Sequence, residues 1–257
     1  VQASSAITNY TVLNNAAAPF DDPKVREAFV QAFDREVYCE LVLSGACMPA
    51  TAAVPPGLPG YIQSDAQAFD PDAARAALAA SSYGGPDGLP EIALTFASDD
   101  PARLEYAEWI AGNYRDVLGV ELTIDPVDSS ALAQRASAPE SFPQMLMMGW
   151  LADYADPQDF IEGPFGCSSA SAMNAGICVP DLETAIAAAN AESDPVARTA
   201  SWERAGEVLA GSHVVIFTDN PTSRWLVRTG VSGVVPTALD LGLPGAHGSL
   251  TTMVVEP

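Results

Sequence analysis

Apolar positions along this chain alternate between two periods, and the switches mark its elements. Residues 5 to 14 (SAITNYTVLN) set Ile7, Tyr10, Val12 and Leu13 in a short β-rich run, which predicts a strand. From Asp22-Pro23 the period becomes helical, with Val25, Ala28, Phe29, Ala32 and Phe33 on one face. Asp before Pro is a natural helix start, because the carboxylate caps free N–H groups and Pro has none to lose. Asp34 predicts a second cap, for a helix carrying Val37, Leu41 and Val42 and ending at Gly45. Residues 49 to 61 hold four Pro and two Gly and predict a stiff loop. Asp70-Pro71 repeats the helix start and predicts a helix to about Ser82.

The next stretch predicts strands over Glu91–Ala97, Val120–Val127 and Met145–Trp150. Helices over Pro101–Leu118 and about Asp128–Ala136 separate them, so the strands are expected to be parallel with crossover helices. Residues 154 to 178 predict loops and one short helix. Helices then start at Pro180 and at Asp194-Pro195, the latter ending at Gly211. Strands are expected at Val214–Thr218 and Trp225–Val231, and the tail from Pro236 has no clear period. The fold class is α/β.

Charge narrows the function. Eleven basic residues against 33 acidic ones give −22 at neutral pH, and Lys24 is the one lysine. Nucleic-acid binding needs cations to neutralise phosphate, so it is excluded, as is a polybasic membrane-surface role. No apolar run is long enough for a transmembrane helix, and no basic region precedes an apolar stretch as in a signal peptide. Four cysteines fall into two local couples, Cys39 with Cys47 and Cys167 with Cys178. Close couples suggest two disulfides and an oxidising compartment; the alternative is four buried thiols. Their spacing does not fit a short-gap zinc knuckle.

Ligands of open α/β sheets sit beyond the carboxyl ends of the strands. Those ends carry Ser98, Asp99 and Asp100; Asp125 and Asp128; and Gly149, Trp150, Asp153, Tyr154, Asp156 and Asp159. The last group, GWLADYADPQDF, joins aromatic faces to carboxylates, which suits an amine-bearing ligand. Asp156-Pro157 also reads as a helix cap. Catalytic signals are weak: there is no G-x-S-x-G, H-E-x-x-H or P-loop. Of the two histidines, His213 reads as structural and His247 lies in the Gly-rich tail. A secreted hydrolase using two carboxylates stays open, since 33 acids make chance pairs common.

Six segments occur in the order of a known family: PFDDPKVREAFVQAFDREV, ATAAVPPGLPGY, FDPDAARAAL, GWLADYADPQDF, CSSASAMNAGICVPDLETAI and VVIFTDNPTSRWLVRTGVSGV. Together they resemble the carboxyl-terminal half of the extracellular solute-binding proteins of peptide- and nickel-type ABC importers, over about residues 8 to 235. The resemblance implies a two-lobe clamp of the periplasmic-binding-protein type, of which this chain holds about half. Residues 1–17 would be a crossover strand from the first lobe and residues 18–213 the second lobe, with a parallel-rich sheet flanked by helices. Residues 214–257 would return to the first lobe.

Peptide binders of this family hold the ligand α-amine with an Asp that matches Asp153, with Trp150 as a pocket wall and Tyr154 beside it. Ala155 stands where the family often has Pro. No Arg close to Asp153 in sequence offers itself to a ligand carboxylate. The resemblance implies a binding protein and not an enzyme, with no cofactor or metal. Its partners would be a small ligand, most often a short peptide, and a membrane permease. It would act as a monomer outside the cytoplasm, periplasmic or anchored as a surface lipoprotein through a missing amino terminus. Sugar or nickel-chelate ligands remain alternatives, because the same skeleton carries several solutes.

Overall fold

Two apolar faces on one sheet organise the chain. The computed structural model describes residues 2–239 and 253–255. It opens with β1 (Gln2–Ser4) and β2 (Ile7–Leu13). Next come α1 (Pro23–Gln31) and a single turn α2 (Arg35–Val37) that runs into a π-helical turn over Tyr38–Val42. They are followed by β3 (Cys47–Pro49), α3 (Pro71–Ala79), β4 (Ile92–Ala97), α4 (Ala102–Leu118), β5 (Leu122–Val127), α5 (Ser129–Arg135) and β6 (Met145–Leu151). The remainder is α6 (Pro157–Phe165), α7 (Ala170–Asn174), α8 (Pro180–Ala191), α9 (Pro195–Gly211), β7 (Val215–Arg224) and a small pair, β8 (Val231–Ser232) with β9 (Val254–Val255).

The caps work as the sequence predicts. Side chains of Asp22, Asp34, Asp70, Asp128, Asp156 and Asp194 each accept backbone N–H groups at a helix start. Both cysteine couples form disulfides, Cys39–Cys47 and Cys167–Cys178. With all four sulfurs so bound, the thiol and zinc alternatives fall away. His213 is structural as expected: its Nε2 lies 3.0 Å from the Ala66 carbonyl. His247 lies outside the described residues.

The main sheet runs β1-β7-β2-β6-β4-β5, with β3 also on β7. The expected parallel pairing holds for β4 with β5 and with β6. The parallel-rich expectation is corrected for the rest, because β2 is antiparallel to both β6 and β7, and β1 and β3 are antiparallel to β7. Apolar period marks a segment as extended, but it does not carry the direction of the neighbour. Three further differences are local. Of the strand expected at Trp225–Val231 only Val231 is extended, as the start of β8; β7 instead continues through the mostly polar run Asp219–Arg224, whose backbone groups pair with β1 and β3. The helix expected up to Gly45 stops at Val42, and Ser44 and Gly45 then take left-handed backbone. Residues 154 to 178 form two helices, α6 and α7, where one was expected.

Side chains alternate across the strands and feed two cores. On one face Tyr10, Val12, Leu146, Val215 and Phe217 pack with α6, α8 and α9 through Phe160, Phe165, Leu182 and Trp202. On the other, Leu13, Leu94, Phe96, Met145 and Ile216 pack with α1, α3 and α4 through Phe29, Leu78 and Tyr114, and with Phe33 just beyond α1.

Arg35 lies between these layers, 3% exposed. Its Nε donates to the carbonyls of Ala50 (3.0 Å) and Phe217 (2.8 Å), and its Nη1 to those of Val30 and Phe33. Its Nη2 donates to Gln67 Oε1 at 2.8 Å. The Gln67 amide then donates to the Ala210 and Val215 carbonyls. Burial pulls the Arg35 pKa down to about 10, so the group stays charged at neutral pH. An apolar replacement would leave several buried carbonyls unpaired. Arg35→Met is therefore expected to lower unfolding stability by about 3 kcal/mol or more in urea titration. A change under about 0.5 kcal/mol would remove Arg35 from this role.

Candidate functional site

The strand ends predicted from sequence do lie together at one end of the sheet, but most of their acids are engaged locally. Asp99 accepts the backbone N–H and hydroxyl of Ser129, and Asp100 accepts the backbone N–H of Ala102. Asp125 takes the Thr95 hydroxyl at 2.9 Å and an ion pair from Arg135 at 2.7 Å.

The end of β6 differs. Trp150 pairs with Thr8 on β2, and its ring lies against Gly163 of α6, where a Cβ would come within 3.4 Å of it. The chain then turns through Ala152, whose N–H still bonds the Ala6 carbonyl. Asp153 is exposed, and among the described residues its carboxylate has no hydrogen-bond or ion-pair partner. Tyr154 is 51% exposed.

What holds Asp153 in place is its backbone. Its N–H donates to Asp159 Oδ2 at 2.9 Å. Burial pushes the Asp159 carboxyl above its usual range and the Asp153 charge adds to this, while the Asp153 N–H and the Trp150 indole oppose it. The indole nitrogen is buried without a hydrogen bond of standard geometry, so its influence on Asp159 is one of proximity. Asp156 does cap α6, as the sequence suggests, and it also receives a two-pronged bond from Arg198 of α9 at 2.8 and 2.9 Å. Arg198 in turn lies over the Trp202 ring. The loop that presents Asp153 and Tyr154 is thus braced at both ends.

A second feature was not legible in the sequence. A cavity of roughly 470 Å³ opens beside the carboxyl end of β4, lined by Asn9, Tyr38, Arg103, Tyr106, Met147 and Asp219 among others. A register shift between Asn9 and Tyr10 sets Asn9 opposite Asp219 and Tyr10 opposite Phe217, so β7 carries the additional residue Thr218. This bulge turns Asp219 toward Asn9. Asn9 Nδ2 donates to Asp219 Oδ2 at 2.9 Å, and the Thr218 hydroxyl donates to Oδ1 at 3.0 Å. Gly149 makes room for the pair: a Cβ there would lie 2.5 Å from Asn9 Oδ1. The signal in the sequence was an Asp-Asn step directly after VVIFT, where a continued strand would bury it. Arg103, in the first turn of α4, has no ion-pair partner among the described residues.

The family model of bacterial extracellular solute-binding proteins, family 5 (middle region), matches residues 1–172. The chain belongs to this family. Among curated relatives, a probable di/tripeptide-binding protein 5 of Pseudomonas aeruginosa is 30% identical over 239 residues, 90% of this chain and 44% of the relative. The dipeptide-binding protein of Escherichia coli is 27% identical, covering 88% of this chain and 42% of the relative. The chain therefore spans less than half the length of these family 5 relatives. The murein tripeptide-binding protein MppA in its unliganded open form superposes with a TM-score of 0.85 at 19% identity, over 99% of this chain and 48% of that one. OppA of Burkholderia pseudomallei gives 0.80 at 23%, over 100% and 50%. The expected α/β fold, with helices flanking a sheet, is the fold of these binding proteins. Among the described residues no helix is long and apolar enough to cross a membrane.

Asp219 gives the family 5 chain a measurable signature. Burial raises its pKa from 3.8 to about 6. Between those values the folded state holds a proton that the unfolded state releases, so stability falls as pH rises from about 4 to about 6. Two units at about 1.4 kcal/mol each predict a loss of about 3 kcal/mol across that window. Asp219→Asn should remove that slope. Relative to wild type, the variant gains stability between pH 4 and pH 7.5 in urea titrations. An unchanged slope would show that Asp219 ionises freely.

Proposed function

We propose that the protein captures short peptides between two lobes and presents them to the permease of a membrane importer. The observation that carries this reading is the end of β6. An exposed, unpaired carboxylate, Asp153, stands beside Trp150 and Tyr154 on a loop braced by Asp159 and by the Asp156–Arg198 pair. A carboxylate held in this way is suited to a peptide α-amine through a charge-assisted hydrogen bond. Trp150 contributes a wall and Tyr154 a flanking face. Arg103, lining the cavity beside the carboxyl end of β4, has the sign needed for a ligand carboxylate. The names of the relatives, di/tripeptide- and dipeptide-binding, support peptides over other solutes.

Residues 18–213 would form one lobe, with residues 1–17 and 214–257 connecting it to the other. The pairing of Gln2–Ser4 with Thr222–Arg224, past the last β2–β6 pair at Ile7 and Leu151, supports a two-stranded connection there. Capture would follow closure about that connection. The reading includes no chemistry on the ligand and no cofactor. It places the protein outside the cytoplasm as a monomer, periplasmic or held at the surface by a lipid. The two disulfides suit that compartment.

Asp153→Ala in the complete gene product is expected to weaken tri-alanine binding about tenfold or more by calorimetry, as for loss of a charge-assisted bond of about 1.5–3 kcal/mol. Unchanged affinity would take Asp153 out of the site. A sugar or metal chelate released from the purified protein on denaturation, in place of peptides, would overturn the peptide reading.

A further inference from the structure

The cavity beside β2 and β7 contains a carboxylate that no cation among the described residues neutralises. Asp219 forms part of the wall, yet only 1% of its surface is exposed. Asn9 and Thr218 donate to it, but both are neutral. Among the described residues no cation forms an ion pair with it, and no group of three potential metal ligands gathers anywhere. A carboxylate buried without a counter-ion destabilises a fold, so buried charges are ordinarily paired.

The surroundings indicate which partner would fit. Tyr38 and Tyr106 both line the cavity, with ring centroids 6.3 Å apart in a near edge-to-face arrangement. The charge of Asp219 reaches both phenols and helps hold them above their ordinary range, after burial itself. Aromatic faces beside a carboxylate attract a cation. At roughly 470 Å³ the space is within the range of small-ligand pockets and can take a long side chain. Arg103 and Asp100 are the other charged residues of the wall. Arg103 would repel a lone cation, so the cavity favours a ligand bringing both charges, a carboxylate for Arg103 and a cation for Asp219.

We infer that this cavity is a specificity subsite for a peptide bearing a cationic side chain, with Asp219 as counter-ion and Tyr38 and Tyr106 as aromatic walls. The inference rests on the peptide reading above and narrows it to lysine- or arginine-containing ligands. It carries a pH dependence. The groups facing Asp219 are Asn9 from β2, Thr218 from β7, Tyr38 from the π-helical turn, and Tyr106, Arg103 and Asp100 at the start of α4. The tyrosines stay neutral at and below neutral pH. Protonation of Asp219 as pH falls below about 6 would remove the counter-ion.

The test is calorimetry on the complete gene product with tri-alanine peptides carrying Lys or Met at each position in turn. At pH 7.5 the Lys peptide should bind about tenfold tighter than its Met counterpart for at least one position. Asp219→Asn should cut that ratio to about threefold or less, and a general loss of affinity cancels in the ratio. The wild-type ratio should shrink likewise at pH 5, which needs no variant. Equal binding of Lys and Met peptides, or a preference that survives both Asp219→Asn and pH 5, overturns the subsite and leaves the peptide reading intact. No binding of any peptide in the panel overturns both.

Discussion

A guanidinium sealed inside the protein sets the arrangement on which the rest depends. Among the described residues Arg35 pairs with no carboxylate, and its charge relies on five oxygen acceptors. Those acceptors come from the end of α1, the loop after β3, β7 and Gln67. Gln67 passes the constraint on to the end of α9 and the start of β7. Moving any of these segments would strip acceptors from a buried cation, which costs far more than an ordinary packing change. One carbonyl in the set belongs to Phe217, which pairs with Tyr10 beside the bulge. The network therefore pins β7 where the extra residue Thr218 enters and Asp219 turns toward Asn9. The placement of Asp219 in the cavity wall thus depends on a charge well removed from it in sequence.

The acidity of the chain resolves into separate jobs. A net charge of −22 reads as a property of the whole surface. Yet Asp22, Asp34, Asp70, Asp128, Asp156 and Asp194 are spent on helix starts, where an oxygen is needed for free N–H groups. Asp159 holds the backbone of the Asp153 loop, and Asp125 is paired with Arg135. Two of the others stand at places where a ligand could meet them. Asp153 is free because its side chain faces water, and Asp219 is unneutralised because only neutral donors reach it.

This sorting also explains what was legible in the sequence. Asp-Pro helix starts, cysteine couples and the GWLADY segment are local signals, and each carries its own chemistry within a few residues. The extension of β7 past Thr218, the bulge and the cavity depend on pairing between residues some 200 positions apart, as in Asn9 with Asp219. No periodicity reports such pairing, and a polar run such as Asp219–Arg224 resembles a loop until its partner strands are known. The antiparallel part of the sheet leaves no local signal for the same reason. Gly149 is an instructive intermediate case. It is conspicuous in the motif, but the reason no larger residue fits there is an Asn that lies far away in the chain.

Asp153 and Asp219 differ in when they lose water, and that difference decides what each can contribute. An ion pair formed on an exposed group such as Asp153 is worth about 0–1 kcal/mol, because solvent screens it and both side chains must be ordered. A larger effect at Asp153 requires a second surface to close over it, which ties its contribution to lobe closure. Asp219 is already desolvated by the fold, so a cation reaching it meets a strong field before any closure. In the proposed reading Asp153 would report whether a ligand has been enclosed, and Asp219 would discriminate among ligands that arrive. An open, half-formed site could then already distinguish side chains, while tight retention would still wait for the lobes to meet.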